Sequence, residues 1–140
     1  MTTSIDSNVL AALRNNEDPH NMTAVELLGL TRKQGNLVVC APVYFELMAG
    51  PLREEAAMDE FFAETGITVE WKIEESIWRE AGRAYGSYAR RRIRRGSGSP
   101  RRGLADFIIG AHALVRGYTL LTLNARDYTA AFPKLTVVSM

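Results

Sequence analysis

The 140-residue sequence has little cysteine and histidine and no long apolar runs, and each shortage excludes a class of protein. Because Cys40 is its single cysteine, the chain can form no internal disulfide. The uncharged runs are too short and too polar to span a bilayer, so no membrane segment is expected. The first residues lack the basic start and the apolar core of a secretory signal. A cytoplasmic location is therefore expected.

Several common catalytic motifs are also missing. His20, His112 and Cys40 form no cluster in the sequence, which argues against zinc, and His112 is expected to be a packed or surface residue. No glycine-rich loop follows a strand and carries the lysine of a nucleotide-binding loop. An aspartate-nucleophile phosphatase carries a second acid two residues after its first, but here that residue is Asn8. A phosphate-accepting signalling domain would carry adjacent acids near the first strand, and these are absent as well.

What is present is the composition of an ordinary globular protein, with 46% apolar and 24% charged residues. A chain of this length fits one domain with one core, so residues 1–140 are expected to form a single domain. Apolar runs and helix-capping residues alternate along it. They predict strands at 4–5, 37–40, 67–69, 119–121 and 135–138, and helices from residue 9 and at 23–32, 43–49, 54–64, 74–92 and 104–115. This alternation predicts an α/β fold of three layers, α/β/α, with a central, mostly parallel sheet of four to five strands.

Three nearly uncharged stretches each carry a single carboxylate, namely Asp6, Glu46 and Asp106. An ionised carboxylate in apolar surroundings loses several kcal/mol of hydration unless a metal, a cation or directed donors replace the water. The carboxyl ends of parallel strands share one edge of a sheet, where these acids and Asp127 are expected to meet. Carboxylates are preferred ligands of Mg²⁺ and Mn²⁺, so one or two such ions could activate water for phosphodiester hydrolysis.

The net charge of +1 hides a strong asymmetry. Residues 54–80 hold nine acids and two bases, whereas residues 81–102 hold eight arginines and no acid. Seven of these arginines surround a Gly/Ser loop at about 90–102 and are candidates for contact with an RNA backbone: Arg90, Arg91, Arg92, Arg94, Arg95, Arg101 and Arg102. A helix C-terminus alone would explain one or two of them. The run could also meet the acidic helices of the same chain or of a neighbour.

Four stretches carry a family resemblance: residues 4–10 (SIDSNVL), 42–47 (PVYFEL), 104–114 (LADFIIGAHAL) and 120–128 (LLTLNARDY). At these residues the chain resembles the PIN-domain nucleases, and most closely the VapC-type ribonuclease toxins of toxin–antitoxin pairs. The four stretches keep the family's order and cover nearly the whole chain. The resemblance implies a PIN-like fold and a metal-dependent endoribonuclease.

The resemblance also implies roles for individual residues. Those of the catalytic metal site are Asp6, Glu46, Asp106 and Asp127, with Thr122 as a supporting hydroxyl. Ser7 and Asn8 match positions beside the first acid, where a cap on the first helix is the alternative. Asn124 stands where some relatives carry an acid, so the fourth position is open between Asn124 and Asp127.

The cofactor and partners follow from the same resemblance: Mg²⁺ or Mn²⁺, an RNA substrate, a cognate antitoxin protein and a second copy of the chain in a homodimer. Trp71, Trp78 and the pair Phe61 and Phe62 are assigned to the core in preference to an antitoxin groove. The alternative function is a non-catalytic RNA-binding or regulatory PIN domain that uses the arginines and no metal. Which RNA is bound or cut stays open.

Overall fold

A five-stranded parallel sheet forms the centre of the molecule. The computed structural model describes residues 1–50, 54–96 and 103–139. Within these ranges the strands are β1 (Thr2–Ile5), β2 (Asn36–Cys40), β3 (Thr68–Glu70), β4 (Thr119–Leu121) and β5 (Val137–Val138). They are hydrogen-bonded in the order β3-β2-β1-β4-β5, and every neighbouring pair is parallel. The predicted α/β fold is confirmed.

Helices cover both faces of this sheet. In the described part of the chain they are α1 (Ser7–Arg14), α2 (Asn21–Gln34), α3 (Ala41–Leu47), α4 (Glu55–Thr65), α5 (Glu75–Arg94), α6 (Leu104–Arg116) and α7 (Ala125–Ala131). The chain steps from β1 to β2 to β3 in one direction and returns through β4 to β5 in the other. Because parallel crossovers are right-handed, α1 to α4 lie on one face and α5 to α7 on the other. No helix in the described ranges is long and apolar enough to cross a membrane.

The order of the strands reverses between β1 and β4, which lie side by side at the centre. Ile5 pairs with Leu121 at the carboxyl ends of these two strands, and both side chains are fully buried. The backbone N–H of Asp6 then donates to the carbonyl of Leu121 at 2.9 Å. In open parallel sheets, ligands bind outside the carboxyl ends of the strands at such a reversal point. Asp6 and Thr122 therefore leave the sheet where a site is expected.

Local sequence signals explain how the helices begin and end beside this edge. Asp6 caps α1, since its carboxylate accepts a hydrogen bond from the Ser7 N–H at 2.8 Å. Pro42 lies in the first turn of α3, where its missing N–H costs nothing. Gly117 ends α6 in the left-handed conformation, with φ at 72°. The predicted helices at 43–49 and 104–115 are confirmed to within two residues at each end.

One element of the fold was not predicted, and one prediction is wrong. The sequence analysis names no element between β4 and β5, where the chain forms α7. Trp71 and Trp78 were assigned to the core, yet they are 61% and 54% exposed. On α5, Ile77 and Ala81 are buried, and Trp78 lies at the margin of that face. Trp78 was wrongly predicted because an apolar stripe in a sequence does not reveal how wide the surface is that packs against the helix. Phe61 and Phe62 are buried as predicted.

The end strands also differ from their predicted bounds. The third strand is shifted by one residue, and the last contains two residues, with Leu135 buried outside it. The predicted Gly/Ser loop at about 90–102 begins later than expected, because residues 90–94 belong to α5. Residues 97–102, with Arg101 and Arg102, lie outside the described residues.

Candidate metal centre

Three carboxylates converge at the carboxyl edge of the sheet. Asp6, Glu46 and Asp106 each offer an oxygen, and these three oxygens lie within 4.8 Å of one another. Asp6 is 3% exposed at the end of β1, whereas Glu46 on α3 and Asp106 in the first turn of α6 are half-buried. The structure thus brings together the three acids that stand alone in apolar stretches of the sequence.

Neutral donors hold two of these carboxylates in place. The hydroxyl of Thr122, which is fully buried, donates to Asp6 Oδ2 at 2.8 Å. The hydroxyl of Ser7 donates to Glu46 Oε1 at 2.9 Å. Hydrogen bonds from neutral hydroxyls orient the oxygens of Asp6 and Glu46 but do not cancel the negative charge of these carboxylates.

Asn8 and Asn124 support the Thr122 hydroxyl in different ways. The Asn8 amide donates to Thr122 Oγ1 at 3.4 Å and accepts a bond from the Leu123 N–H at 3.2 Å. Asn124 contributes its backbone N–H, 3.0 Å from Thr122 Oγ1, while its exposed side chain makes no capping bond to α7. Asn8 therefore ties α1 to the segment after β4.

The predicted fourth acid lies apart from this group. Asp127 is exposed on α7, and among the described residues the group of closely spaced carboxylates contains only the other three. The next residue, Tyr128, is 1% exposed and donates its hydroxyl to Asp106 Oδ1 at 3.3 Å. Tyr128 was not predicted as a site residue. The sequence held a signal for the helix, because Asn124 followed three residues later by an acid is typical of a helix start, but none for which of its side chains faces the acids.

Electrostatics at the three acids favour a bound cation. Burial raises the pKa of Asp6, the charge of Asp106 raises it further, and hydrogen bonds from Thr122, Tyr128 and Ser7 oppose this. Burial also raises the pKa of Glu46, as do the charges of Asp106 and Asp6. None of the groups shifting these two pKa values within the described residues is a cation. Three carboxylate oxygens in so compact a set could hold a hard divalent cation such as Mg²⁺ or Mn²⁺.

A groove adjoins Glu46 between α1 and α3. Its volume is about 240 Å³, and it is lined by Ser7, Asn8, Ala11, Arg14, Glu46, Leu47 and Gly50. The guanidinium of Arg14 lies 4.8 Å from the centre of the Phe61 ring, in a cation–π contact. The groove therefore offers a positive charge and apolar surface directly beside the acids.

The basic end of α5 approaches the centre from the other face of the sheet. Arg92 lies 6.0 Å from the ring centre of Tyr88, and that ring packs at 5.5 Å on Phe107, the residue after Asp106. Arg90, Arg94 and Arg95 are exposed, and Arg91 is half-buried. The described arginines of the run thus lie on α5, which packs against α6, or directly after it at Arg95.

His112 belongs to a separate buried network. Its Nε2 lies 2.9 Å from Glu70 Oε1, and Arg116 and Tyr118 donate to the same carboxylate at 3.0 and 2.8 Å. Burial lowers the pKa of His112, which keeps the imidazole neutral near pH 7. The prediction of a packed histidine is confirmed.

Comparison with known proteins gives a family and a fold. The sequence model of the PIN domain matches residues 4–133. No curated protein matches the chain. The structure of VapBC-1 from nontypeable Haemophilus influenzae is similar over 99% of this chain and 98% of that one, with 20% identity and a TM-score of 0.68.

Two further solved structures show the same fold. A toxin–antitoxin complex from Klebsiella pneumoniae is similar over 98% of this chain and 96% of that one, with 20% identity and a TM-score of 0.67. VapBC2 from Rickettsia felis, solved with a DNA fragment from its promoter, is similar over 100% and 99%, with 19% identity and a TM-score of 0.63. The likeness extends over whole chains.

Proposed function

Since the chain belongs to the PIN domain family, we propose that it is a metal-dependent endoribonuclease toxin that hydrolyses phosphodiester bonds in RNA. The observation that carries the proposal is the close approach of Asp6, Glu46 and Asp106, whose oxygens lie within 4.8 Å of one another. Burial raises the pKa of Asp6 and of Glu46, so the ionised group is costly without a cation. A structural role alone would not favour three acids in such an arrangement.

In the proposed site, Asp6, Glu46 and Asp106 hold Mg²⁺ or Mn²⁺, and Asp127 acts from an outer position through water. The bound cation would supply positive charge to the phosphate under attack and lower the pKa of the attacking water. Thr122 and Ser7 keep the oxygens of Asp6 and Glu46 oriented. Water attacks phosphorus and the O3′ atom leaves, so the products carry a 5′-phosphate and a 3′-hydroxyl.

The arginines of α5 are proposed to bind the RNA backbone. Arg90, Arg94 and Arg95 are exposed, and Arg92 lies over Tyr88 near the start of α6. Each contact between an arginine and a phosphate releases a counterion, so affinity should fall steeply as salt rises. Arg101 and Arg102, outside the described residues, are proposed to extend this surface.

Two protein partners are proposed. The similar structures include toxin–antitoxin complexes, which supports a cognate antitoxin that covers the active-site edge. A homodimer is supported by an apolar surface on α3, α5 and α6, where Phe45, Trp78 and Leu104 are 78%, 54% and 62% exposed. The acidic stretch at residues 54–80 of one copy could also face the basic carboxyl end of α5 in the other.

The function is tested by cleavage of total RNA by the purified chain with Mg²⁺ or Mn²⁺. We expect Asp6→Asn and Glu46→Gln to lower the rate by roughly 10²–10³-fold, because each removes a ligand of an ion whose stabilisation of the transition state is worth several kcal/mol. Glu64→Gln, which neutralises an exposed acid on α4, is the matched control and should cut normally. Equal activity of Asp6→Asn and the wild type would refute the metal mechanism.

The alternative, a non-catalytic RNA-binding domain, is favoured by the position of Asp127 outside the carboxylate group. It predicts RNA binding that survives both EDTA and Glu46→Gln, with no cut products. Mapping the 5′ ends of total RNA after brief induction, with Asp6→Asn beside it, separates the two functions. New ends that appear only with the wild type support the nuclease and reject the alternative.

A further inference from the structure

Each of the three clustered acids receives a hydrogen bond from a neutral hydroxyl. Thr122 donates to Asp6 at 2.8 Å, and Ser7 donates to Glu46 at 2.9 Å. The third hydroxyl is that of Tyr128, which donates to Asp106 Oδ1 at 3.3 Å. The pattern is complete only when Tyr128 is counted with Thr122 and Ser7.

The register of α7 explains why Tyr128 and not Asp127 reaches the centre. Consecutive residues of an α-helix point about 100° apart, so both side chains cannot face the same neighbour. Tyr128 is 1% exposed, whereas Asp127 is exposed. The ring of Tyr128 is therefore the part of α7 that enters the interior, and its hydroxyl also opposes the rise in the pKa of Asp6.

We propose that Tyr128 is a positioning residue of the metal site, whose hydroxyl holds Asp106 Oδ1 and so fixes the orientation of this carboxylate toward the other two acids. The inference rests on the proposed function, since it assumes that Asp106 is a ligand. A phenol is uncharged at neutral pH, so it orients the carboxylate without replacing the charge that the cation supplies. Groups that orient metal ligands in this way commonly contribute about 10- to 100-fold to metal affinity.

The test is Mn²⁺ binding to the full-length chain, measured by calorimetry or electron paramagnetic resonance without RNA. Tyr128→Phe removes one oxygen and keeps the ring, and should weaken Mn²⁺ binding by roughly tenfold. Tyr118→Phe is the matched control, because its hydroxyl donates to Glu70 at 2.8 Å, outside the three-acid group. The control should bind Mn²⁺ as the wild type does.

Three results would contradict the inference in distinguishable ways. Unchanged Mn²⁺ affinity in Tyr128→Phe, with normal binding by the wild type, overturns the role of Tyr128 and leaves the proposed function standing. An equal loss in Tyr118→Phe overturns it too, because the effect would then be general. Absence of Mn²⁺ binding in the wild type overturns the proposed function and this inference together. Melting curves in EDTA identify a temperature at which all three proteins are folded, and binding is compared there.

Discussion

At the scale of single residues, Asp6 links the fold to the proposed chemistry. It ends β1, caps α1 through the Ser7 N–H and faces the other two acids. The cap favours an ionised carboxylate at the helix N-terminus, but burial and the charge of Asp106 favour the protonated form and raise its pKa. The balance makes the metal-free site a source of instability at neutral pH.

This balance predicts how the stability of the metal-free protein depends on pH. The pKa of Asp6 is raised above 3.8, so between that value and the raised one the folded chain holds a proton that the unfolded chain has lost. The free energy of unfolding therefore falls as pH rises through this window. Asp6→Asn keeps a capping side chain and removes the titration. We expect the mutant, relative to the wild type, to gain stability as pH rises from about 4.

The measurement is thermal or urea unfolding of both proteins in EDTA at several pH values. His112, whose lowered pKa acts in the opposite direction below 6.5, is present in both and cancels in the difference. Saturating Mn²⁺ should stabilise the wild type more than the mutant at pH 7, because a ligand that binds only the folded state stabilises it and the mutant lacks one carboxylate. A difference that does not change with pH in EDTA would contradict the raised pKa of Asp6.

At the scale of the elements, α6 is the helix that carries Asp106 to the site, and its packing is unusually tight at Gly110. A Cβ atom placed on Gly110 would clash with Cε2 of Phe132, the residue that follows α7. Phe132 is 2% exposed, so its ring has little room to move. The glycine thus lets α6 approach α7 closely, which brings the Asp106 carboxylate within reach of Tyr128.

Gly110→Ala should therefore destabilise the protein by about 1–3 kcal/mol, as overpacked cores do. The matched control is Gly29→Ala in α2, where a Cβ would meet nothing within 4 Å. The control should stabilise the protein by up to about 1 kcal/mol, because alanine is the better helix former. Urea unfolding in EDTA measures both. A stable Gly110→Ala would show that Phe132 moves easily and that the close approach is not required.

These elements show what could be predicted from the sequence. Asp6, Glu46 and Asp106 each stand alone in an apolar stretch: Asp6 follows β1, Glu46 lies on the short helix after β2, and Asp106 lies in the first turn of α6. The topology of a parallel sheet brings such positions together. Which side chain of α7 faces inward depends on how the helix is rotated about its axis. This seven-residue helix has no apolar stripe that would reveal the rotation, so Tyr128 was missed. Trp78 was wrongly assigned to the core, because an apolar pattern predicts burial but does not show which element covers the side chain.

At the scale of the whole molecule, the reversal of strand order separates the working surfaces. The acids lie at the carboxyl edge, and a groove with Arg14 opens between α1 and α3. An apolar groove runs along α3, α5 and α6, lined by Ala41, Pro42, Phe45, Ile73, Trp78, Ala105 and Ile108. Phe45 is one residue from Glu46, so a second copy bound at this groove would lie beside the active-site edge.

The proposed homodimer predicts that Phe45→Glu abolishes self-association. Phe45 is 78% exposed, so the substitution should leave the folded monomer intact, whereas a charge buried between two copies costs several kcal/mol unless it is paired. Leu30→Glu is the matched control, because Leu30 is an exposed apolar residue on α2, 58% exposed, that does not line this groove. Sedimentation or light scattering should find a dimer for the wild type and Leu30→Glu and a monomer for Phe45→Glu. A wild-type monomer at high concentration, or a dimer lost equally in both mutants, would contradict this interface. If Phe45→Glu is monomeric as expected, its RNA cleavage shows whether a single copy holds a complete site.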